Sequence, residues 1–240
     1  MDAAALRQNI DQVRGRVERA CRRAGRDSSS VTIIAVTKTV PAELVRLAIE
    51  LGLSDLGENR VQEAREKQRV LESRVLSLRW HLIGHLQRNK AKPAAQLFDV
   101  IHSVDSVGLA QELERQAAAQ SRQLEILVQV NVSGEAMKFG CAPSDAEAVV
   151  RAVQAGPHLA FGGLMTIAPY ADSPDAARPV FRGLRQLRDD LLHSSLVTGH
   201  SSLKLSMGMS GDFEAAIEEG ADFVRIGTAI FGTRDMGRGT

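Results

Sequence analysis

The chain has 240 residues, a length that suits one α/β domain, and 44% of them are hydrophobic, enough for a large core. Its 30 Lys and Arg nearly balance 29 Asp and Glu, and the formal net charge of +1 argues against a nucleic-acid or membrane contact that relies on a positive field. Aromatic residues, which stack on the bases of single-stranded nucleic acids, make up only 4% of the chain, so this class of partner is also disfavoured.

The first predicted element is an amphipathic helix within residues 1–25. Its apolar positions recur every three or four residues, at Leu6, Ile10, Val13 and Val17, and a glycine ends it. We expect this helix to cover the bottom or the side of the domain that follows. The segment is rich in Arg, Glu and Gln and has no apolar run, so it is not interpreted as a signal peptide.

The two cysteines, Cys21 and Cys141, form neither a CxxC pair nor a disulfide framework, and each is predicted to be a small apolar side chain. No apolar run approaches the length of a membrane span. These features predict a soluble, cytoplasmic and reduced protein with no membrane contact.

The next predicted element, a strand over 31–38, is the most informative stretch of the chain. It is a continuous β-branched and apolar run that ends in Lys38, and such strands belong to parallel sheets whose functional side lies at the carboxyl ends. Period-2 alternation places Lys38 on one face with Ile34 and Val36, and apolar surroundings favour the neutral amine that forms a Schiff base with an aldehyde. A solvated lysine at a strand end is the simpler interpretation of this stretch alone.

Strand and helix patterns then alternate along the rest of the chain. The predicted strands cover 55–59, 79–84, 100–105, 124–132, 159–167, 203–206 and 223–227. The predicted helices cover 41–51, 60–76, 106–120, 144–153, 174–192 and 212–219, with one short helix after 84. About eight such units without a long linker predict a single (β/α)8 barrel domain over 1–240 with the N-terminal helix as an extra, and a doubly wound open sheet is the alternative.

Two glycine-rich loops, 206–212 after the seventh strand and Gly227-Thr228 after the eighth, lie where such barrels often bind phosphate. Glycine lets the backbone approach phosphate oxygens, Ser and Thr add hydroxyl donors, and a helix N-terminus adds free amides. Ordinary glycine-rich turns have the same composition, but the position of both loops favours phosphate.

Two further polar residues lie at strand ends. Arg225 interrupts the apolar eighth strand, so it either points outward between helices or meets an acceptor in the barrel mouth. Asn59 follows the second strand and would lie beside Lys38, where it either contacts a ligand or only forms a turn.

The histidines do not predict a metal site. His81 and His85 have the i, i+4 spacing of a metal pair, but no glutamate follows His81 and the two residues straddle the end of a strand. His102 is expected at the edge of the core with a satisfied hydrogen bond. A Ser/His/Asp hydrolase is not supported either, because no GxSxG elbow is present.

Six stretches, in order along nearly the whole chain, resemble the pyridoxal phosphate homeostasis protein family. They are AVTKT (35–39), GENRVQE (57–63), WHLIGHLQRNK (80–90), GLMT (163–166), LSMGMS (205–210) and VRIGTAIFG (224–232). The resemblance implies a barrel like the N-terminal domain of alanine racemase that carries pyridoxal 5'-phosphate (PLP) as a Schiff base. His85 occupies a variable place in the third stretch and is given no role.

The resemblance also implies roles for the residues singled out above. Lys38 would form the Schiff base, and Asn59 would flank the ring. Arg225 would face the pyridine nitrogen, and the phosphate would be held by Ser210, Gly227 and Thr228.

An arginine at the pyridine nitrogen makes PLP a poor electron sink, because arginine does not give up its proton and the nitrogen stays unprotonated. The chain ends within a few residues of the eighth strand, at 234–240, and its only tyrosine is Tyr170, so we expect neither a second domain nor an opposing base. The predicted function is therefore a non-catalytic, monomeric carrier that maintains PLP homeostasis. It would release PLP by transimination or hydrolysis at Lys38, with apo PLP enzymes as candidate recipients.

Two other functions remain open at this stage. A small PLP-dependent amino-acid racemase would need an acid/base pair near Lys38. A barrel isomerase acting on a phosphorylated sugar or amino acid without PLP would need a base at a strand end, for which Glu58 and His102 are the candidates.

Overall fold

The computed structural model describes residues 1–71, 78–170, 173–194, 196–197 and 202–233. Within these ranges the strands form a closed parallel barrel in sequence order, with the eighth strand paired to the first. The strands are β1 (Thr32–Val36), β2 (Asp55–Glu58), β3 (Arg79–Leu82), β4 (Val100–Val104), β5 (Leu124–Gln129), β6 (Leu159–Met165), β7 (Lys204–Met209) and β8 (Phe223–Ile226). The predicted (β/α)8 barrel is confirmed, and the open-sheet alternative is wrong.

Helices cover the outside of this barrel. They are α1 (Ala3–Arg23), α2 (Ala42–Glu50), α3 (Val61–Leu71), α4 (Ala91–Leu97), α5 (Val107–Ala118), α6 (Ala146–Gln154), α7 (Arg178–His193), α8 (Phe213–Glu218) and α9 (Thr228–Phe231). Short 3-10 turns occur at Ser28–Ser30, Arg88–Lys90, Pro143–Asp145 and Pro174–Ala177. No helix in the described ranges combines the length and the apolarity needed to cross a bilayer.

The strands separate two apolar layers. The larger layer packs the outward strand residues against the helices. The smaller one fills the barrel interior with Ile34, Val100, Leu127, Met165 and Phe223. Because side chains alternate along each strand, the neighbours of these five at i±2 also point into the barrel, and this interior is where the polar side chains of the site originate.

The extra helix α1 lies against the side of the barrel, where its predicted apolar stripe is buried against α8 and α9. Polar contacts fasten it there: Asn9 Nδ2 donates to the carbonyl of Ile230 at 2.9 Å, and Arg16 pairs with Glu214 at 2.8 Å. Of the two placements expected for this helix, the side of the barrel is the one observed.

Two predicted boundaries differ from the structure. The helix predicted over 60–76 corresponds to α3, and its last predicted turn lies outside the described residues. The loop predicted over 206–212 is wrong in its first half, because β7 continues past the predicted strand end at Ser206 as far as Met209. Gly208 has φ +89°, a conformation that glycine adopts freely, and the register with β8 shifts between Ser206 and Met209. Gly208 therefore allows β7 to continue through a bulge.

Candidate functional site

A cavity of 390 Å³ opens at the carboxyl ends of the strands, where the sequence predicts the functional side of the barrel. Its described lining residues are Val36, Lys38, Thr39, Asn59, Ile83, Ile167, Met209, Ser210, Gly211, Arg225, Gly227 and Thr228. All six residues that the sequence analysis singled out for a ligand are in this set. The volume lies within the range of small-molecule sites.

Lys38 stands on the inward face predicted for it, two residues after Val36 and half-buried. The next residue, Thr39, has φ +59°, which is unusual for a β-branched residue, and its backbone N–H donates to Glu63 Oε2 at 3.0 Å. Strained backbone of this kind persists only where the surroundings hold it. The turn after Lys38 is thus held by a carboxylate from α3.

A buried polar group, here termed the Glu58 cluster, lies directly behind Lys38 and consists of Thr37, Glu58 and Lys67. Lys67 Nζ donates to Glu58 Oε1 at 2.5 Å and to the carbonyl of Thr37 at 2.5 Å, and Thr37 Oγ1 donates to Glu58 Oε1 at 2.6 Å. Burial raises the pKa of the Glu58 carboxyl, and the positive charge and hydrogen bond of Lys67 offset only part of this rise. The cluster fixes the end of β1 from which Lys38 projects.

Arg225 points into the barrel, which settles the two orientations left open from the sequence. It is 4% exposed, and it donates from Nη1 to Ser206 Oγ at 2.7 Å and from Nη2 to the carbonyl of Thr166 at 2.9 Å. Burial lowers the pKa of the guanidinium to about 10, against the opposing effect of the Asp212 charge, so the group is protonated at neutral pH. A guanidinium has five N–H donors, so these two bonds leave others for a ligand.

The two loops predicted to bind phosphate meet at Ser210. Its Oγ accepts the backbone N–H groups of Gly227 at 3.2 Å and Ala229 at 3.3 Å. The Ser210 hydroxyl therefore holds two backbone amides together at the start of α9. Gly211 and Thr228 lie beside them in the cavity wall. Converging backbone amides and hydroxyls are the donor set that an anion requires.

Asn59 reaches the cavity because Gly84 allows two loops to touch. A Cβ atom at Gly84 would lie 2.4 Å from the carbonyl oxygen of Asn59 and 2.8 Å from its Cα, and backbone cannot move aside as a flexible side chain can. Only glycine fits this contact between the ends of β2 and β3. The sequence analysis quoted Gly84 within a motif but gave it no role.

The three histidines named in the sequence analysis occupy two different environments. His81 and His102 lie fully buried inside the barrel, where His102 Nδ1 is 2.9 Å from Ser206 Oγ and Nε2 is 2.9 Å from His81 Nδ1. The predicted hydrogen bonding of His102 is confirmed, whereas its predicted place at the edge of the core is wrong, because inward alternation from Val100 carries it into the interior. His85 instead stacks on Phe139, with ring centroids 3.8 Å apart.

Sequence reasoning missed the apolar part of the cavity wall. Ile83, Ile167 and Met209 lie there beside the polar residues. For Ile83 a signal was available, since it stands two residues beyond the inward-facing His81. Among the described residues, no three His, Cys, Asp or Glu side chains are grouped as a metal site requires.

The chain is similar to known proteins over almost its whole length. The profile of the family described as alanine racemase, N-terminal domain, matches residues 1–235. A pyridoxal phosphate homeostasis protein of Pseudomonas aeruginosa is 47% identical over 234 residues, 98% of each chain. One of Aquifex aeolicus is 42% identical over 228 residues, 95% of this chain and 97% of the relative. The structure of PipY of Synechococcus elongatus with PLP bound has 34% identity and a TM-score of 0.81, covering 95% of this chain and 100% of that one.

Proposed function

This chain belongs to the pyridoxal phosphate homeostasis protein family, and we propose that it holds PLP reversibly on Lys38 and thereby maintains the intracellular PLP supply without catalytic turnover. The observation that carries the proposal is the convergence of Lys38, Arg225 and the Ser210 loop on one cavity of 390 Å³. When bound, PLP supplies an aldehyde that a lysine amine holds as a Schiff base.

The residues present fit the chemical parts of PLP. Lys38 is the amine of the cavity wall, and Ser210, Gly227 and Thr228 provide hydroxyls and backbone for a phosphate. Arg225 provides N–H donors for the ring nitrogen, and Asn59 provides an amide beside them. The apolar side chain of Ile83 lies in the same wall and suits the face of an aromatic ring.

The composition of this wall supports a carrier over an enzyme. Lys38 and Arg225 are the titratable side chains among its described residues, and neither a carboxylate, an imidazole nor a phenol accompanies them. Acid–base catalysis needs a proton donor or acceptor within hydrogen-bond reach of the reacting atom. Tyr170 is 97% exposed and lines a neighbouring concavity instead.

The two rival functions lose support for the same reason. Glu58 and His102, the candidate bases of a PLP-independent isomerase, are both fully buried and neither is among the residues that line the cavity. A racemase requires a proton acceptor and a proton donor at the substrate carbon, and the described wall offers Lys38 alone as an acceptor.

The proposal extends to release, partners and place of action. We propose that hydrolysis or transimination at Lys38 frees PLP for apo PLP enzymes, and that the protein acts as a cytoplasmic monomer. Sedimentation with and without PLP measures the oligomeric state directly.

The test is the visible absorption spectrum of the protein with PLP, before and after borohydride reduction, in the wild type, Lys38→Ala and Lys92→Ala. Lys92 is an exposed lysine on α4 and serves as the matched control. We expect an absorption band and a reduced adduct on Lys38 in the wild type and in Lys92→Ala, and neither in Lys38→Ala. Amino-acid racemisation, assayed in parallel, should stay at the level of free PLP.

Two results would contradict the proposal in different ways. An identical adduct in Lys38→Ala would remove Lys38 from the site. Racemisation well above the level of free PLP, abolished by Lys38→Ala, would make the protein an enzyme.

A further inference from the structure

A continuous chain of hydrogen bonds crosses the barrel interior from the amino end of β2 to the cavity wall. We term it the lumen chain, and it consists of Asp55, His81, His102, Ser206 and Arg225. The distances are 3.0 Å from Asp55 Oδ1 to His81 Nε2, 2.9 Å between the two imidazoles, 2.9 Å from His102 Nδ1 to Ser206 Oγ and 2.7 Å from Ser206 Oγ to Arg225 Nη1. The sequence analysis gave no role to two of its members, Asp55 and His81.

The acceptor-only carboxylate of Asp55 and the neutral imidazoles fix the direction of every bond in the lumen chain. Asp55 can only accept, so His81 donates to it from Nε2, and because burial keeps both imidazoles neutral, His81 Nδ1 accepts from His102 Nε2. His102 Nδ1 then accepts the Ser206 proton. The Ser206 oxygen accepts from Arg225, because a guanidinium only donates.

The electrostatics of the interior agree with this direction. Burial lowers the pKa of His81 and lowers that of His102 well below its ordinary value, so both imidazoles are neutral at physiological pH. Burial alone would raise the pKa of Asp55, but hydrogen bonds from His81 and Ser54 and the charge of Arg79 outweigh it, and the pKa lies below its ordinary value. The lumen chain thus has a cationic donor, Arg225, at the cavity and an anionic acceptor, Asp55, at its other end.

We propose that His81, His102 and Ser206 are positioning residues that hold Arg225 for recognition of the ring nitrogen of the ligand, an inference that rests on the function proposed above. Ser206 and the carbonyl of Thr166 fix two nitrogens of the guanidinium, and His102 keeps the Ser206 hydroxyl turned so that its oxygen faces Arg225. Recognition groups need such support to within a fraction of an ångström. Without His102, the hydroxyl can rotate and its proton can oppose the guanidinium.

A purely structural role makes a different prediction. If the two histidines only fill the interior with satisfied hydrogen bonds, their loss lowers stability and weakens every ligand of the cavity alike. If they position Arg225, their loss acts on the contact with the ring nitrogen in particular. Discrimination between a ligand with this nitrogen and one without it therefore separates the two roles.

The experiment compares the dissociation constants of PLP and of its carbocyclic analogue, in which a CH group replaces the ring nitrogen. The wild type should prefer PLP on the order of tenfold or more, because a hydrogen bond from a charged donor is lost with the analogue. Ser206→Ala and His102→Phe should reduce this preference to within about threefold. His102→Asn, whose amide oxygen can still accept from Ser206, should restore part of it.

Ser103→Ala is the matched control, since it removes the same oxygen from a fully buried serine next to His102. Its Oγ has no hydrogen-bond partner among the described residues, so the preference for PLP should stay at the wild-type value. Thermal unfolding of each variant verifies that it is folded. If His102→Phe fails to fold, the smaller change Ser206→Ala carries the test.

The outcomes separate this inference from the function on which it rests. A wild type that binds neither aldehyde overturns both. A wild type that binds and discriminates, with an unchanged preference in folded Ser206→Ala and His102→Phe, overturns the positioning role and leaves the carrier function standing. A preference that is lost in Ser206→Ala and kept in Ser103→Ala supports the positioning role.

Discussion

Two buried polar groups support neighbouring parts of the cavity wall, at the paired strands β1 and β8, and they differ in the arrangement of their charges. The Glu58 cluster behind Lys38 is compact and joins a carboxylate and an ammonium group within 2.5 Å. The lumen chain behind Arg225 separates its two charges by a serine and two neutral imidazoles. The wall proposed to bind covalently is thus fixed by an ion pair, and the wall proposed to recognise the ring is fixed by neutral hydrogen bonds.

This difference predicts how much stability a substitution in each group costs. Removing one partner of a buried ion pair leaves an uncompensated charge in a low-dielectric interior, which costs about 3–5 kcal/mol. Interrupting a chain of neutral hydrogen bonds leaves unsatisfied donors or acceptors, which cost about 1–3 kcal/mol each. The Glu58 cluster should therefore govern stability, while the lumen chain should govern recognition.

Lys67→Met should have the largest effect on stability. It leaves the Glu58 carboxyl buried without its cation, and we expect the free energy of unfolding to fall by about 3–5 kcal/mol. Urea denaturation at neutral pH measures the loss. The Lys67→Met/Glu58→Gln double variant, which removes both charges, should recover a large part of it.

The control for this change is Arg151→Met, which breaks an ion pair with Glu147 on the surface. Its two side chains are 62% and 57% exposed, so water replaces the lost interaction and the stability should hardly change. An equally small effect of Lys67→Met would show that the buried pair does not hold the end of β1, and the contrast between the two groups would disappear.

Much of this arrangement is predictable from the sequence, because the inward-facing positions follow from alternation. The pattern that places Lys38 on the face of Ile34 also places Asn59 at the neighbouring strand end, and both predictions hold in the structure. The glycine-rich composition around Ser210 and Gly227 likewise marks the loops that meet there.

The lumen chain was not predictable, because its five members belong to five different strands and the sequence around each one also fits an ordinary structural role. The predicted strand ended at Ser206, because its continuation through the bulge at Gly208 depends on a backbone conformation that glycine permits without requiring it. Lys67 is one of many charged residues in the helix predicted over 60–76. Its burial follows from the packing of α3 on β2, which only the assembled barrel defines.

Ser206→Ala and Ser103→Ala should differ in stability although the chemical change is the same. The Ser206 hydroxyl bonds both His102 and Arg225, so its removal leaves an acceptor and a charged donor unsatisfied, and we expect a loss of about 1–3 kcal/mol. Ser103 Oγ has no partner among the described residues, so its removal should be neutral or slightly stabilising. Chemical denaturation of the two variants beside the wild type measures the difference, and equal losses would mean that the lumen chain adds nothing to stability.

The pH dependence of stability should distinguish the neutral imidazoles from the ion pair. Because burial lowers the pKa of His102 well below its ordinary value, the unfolded chain binds a proton that the folded chain does not, as the pH falls below about 6.5. Stability is therefore lost as the pH falls through this window, by up to about 1.4 kcal/mol per pH unit for one imidazole.

His102→Phe removes the imidazole that takes up this proton in the unfolded protein. The free energy of unfolding should therefore fall less steeply with falling pH than in the wild type, by up to about 1.4 kcal/mol per pH unit. Ser103→Ala should keep the pH dependence of the wild type. Unfolding free energies from urea titrations between about pH 7.5 and 5.5 provide the comparison around the ordinary histidine pKa. Equal slopes in His102→Phe and the wild type would mean that His102 gains its proton as readily in the folded chain as in the unfolded one. Below about pH 6.5 the bond from Ser206 to His102 would then be lost, because a protonated His102 cannot accept a hydrogen bond.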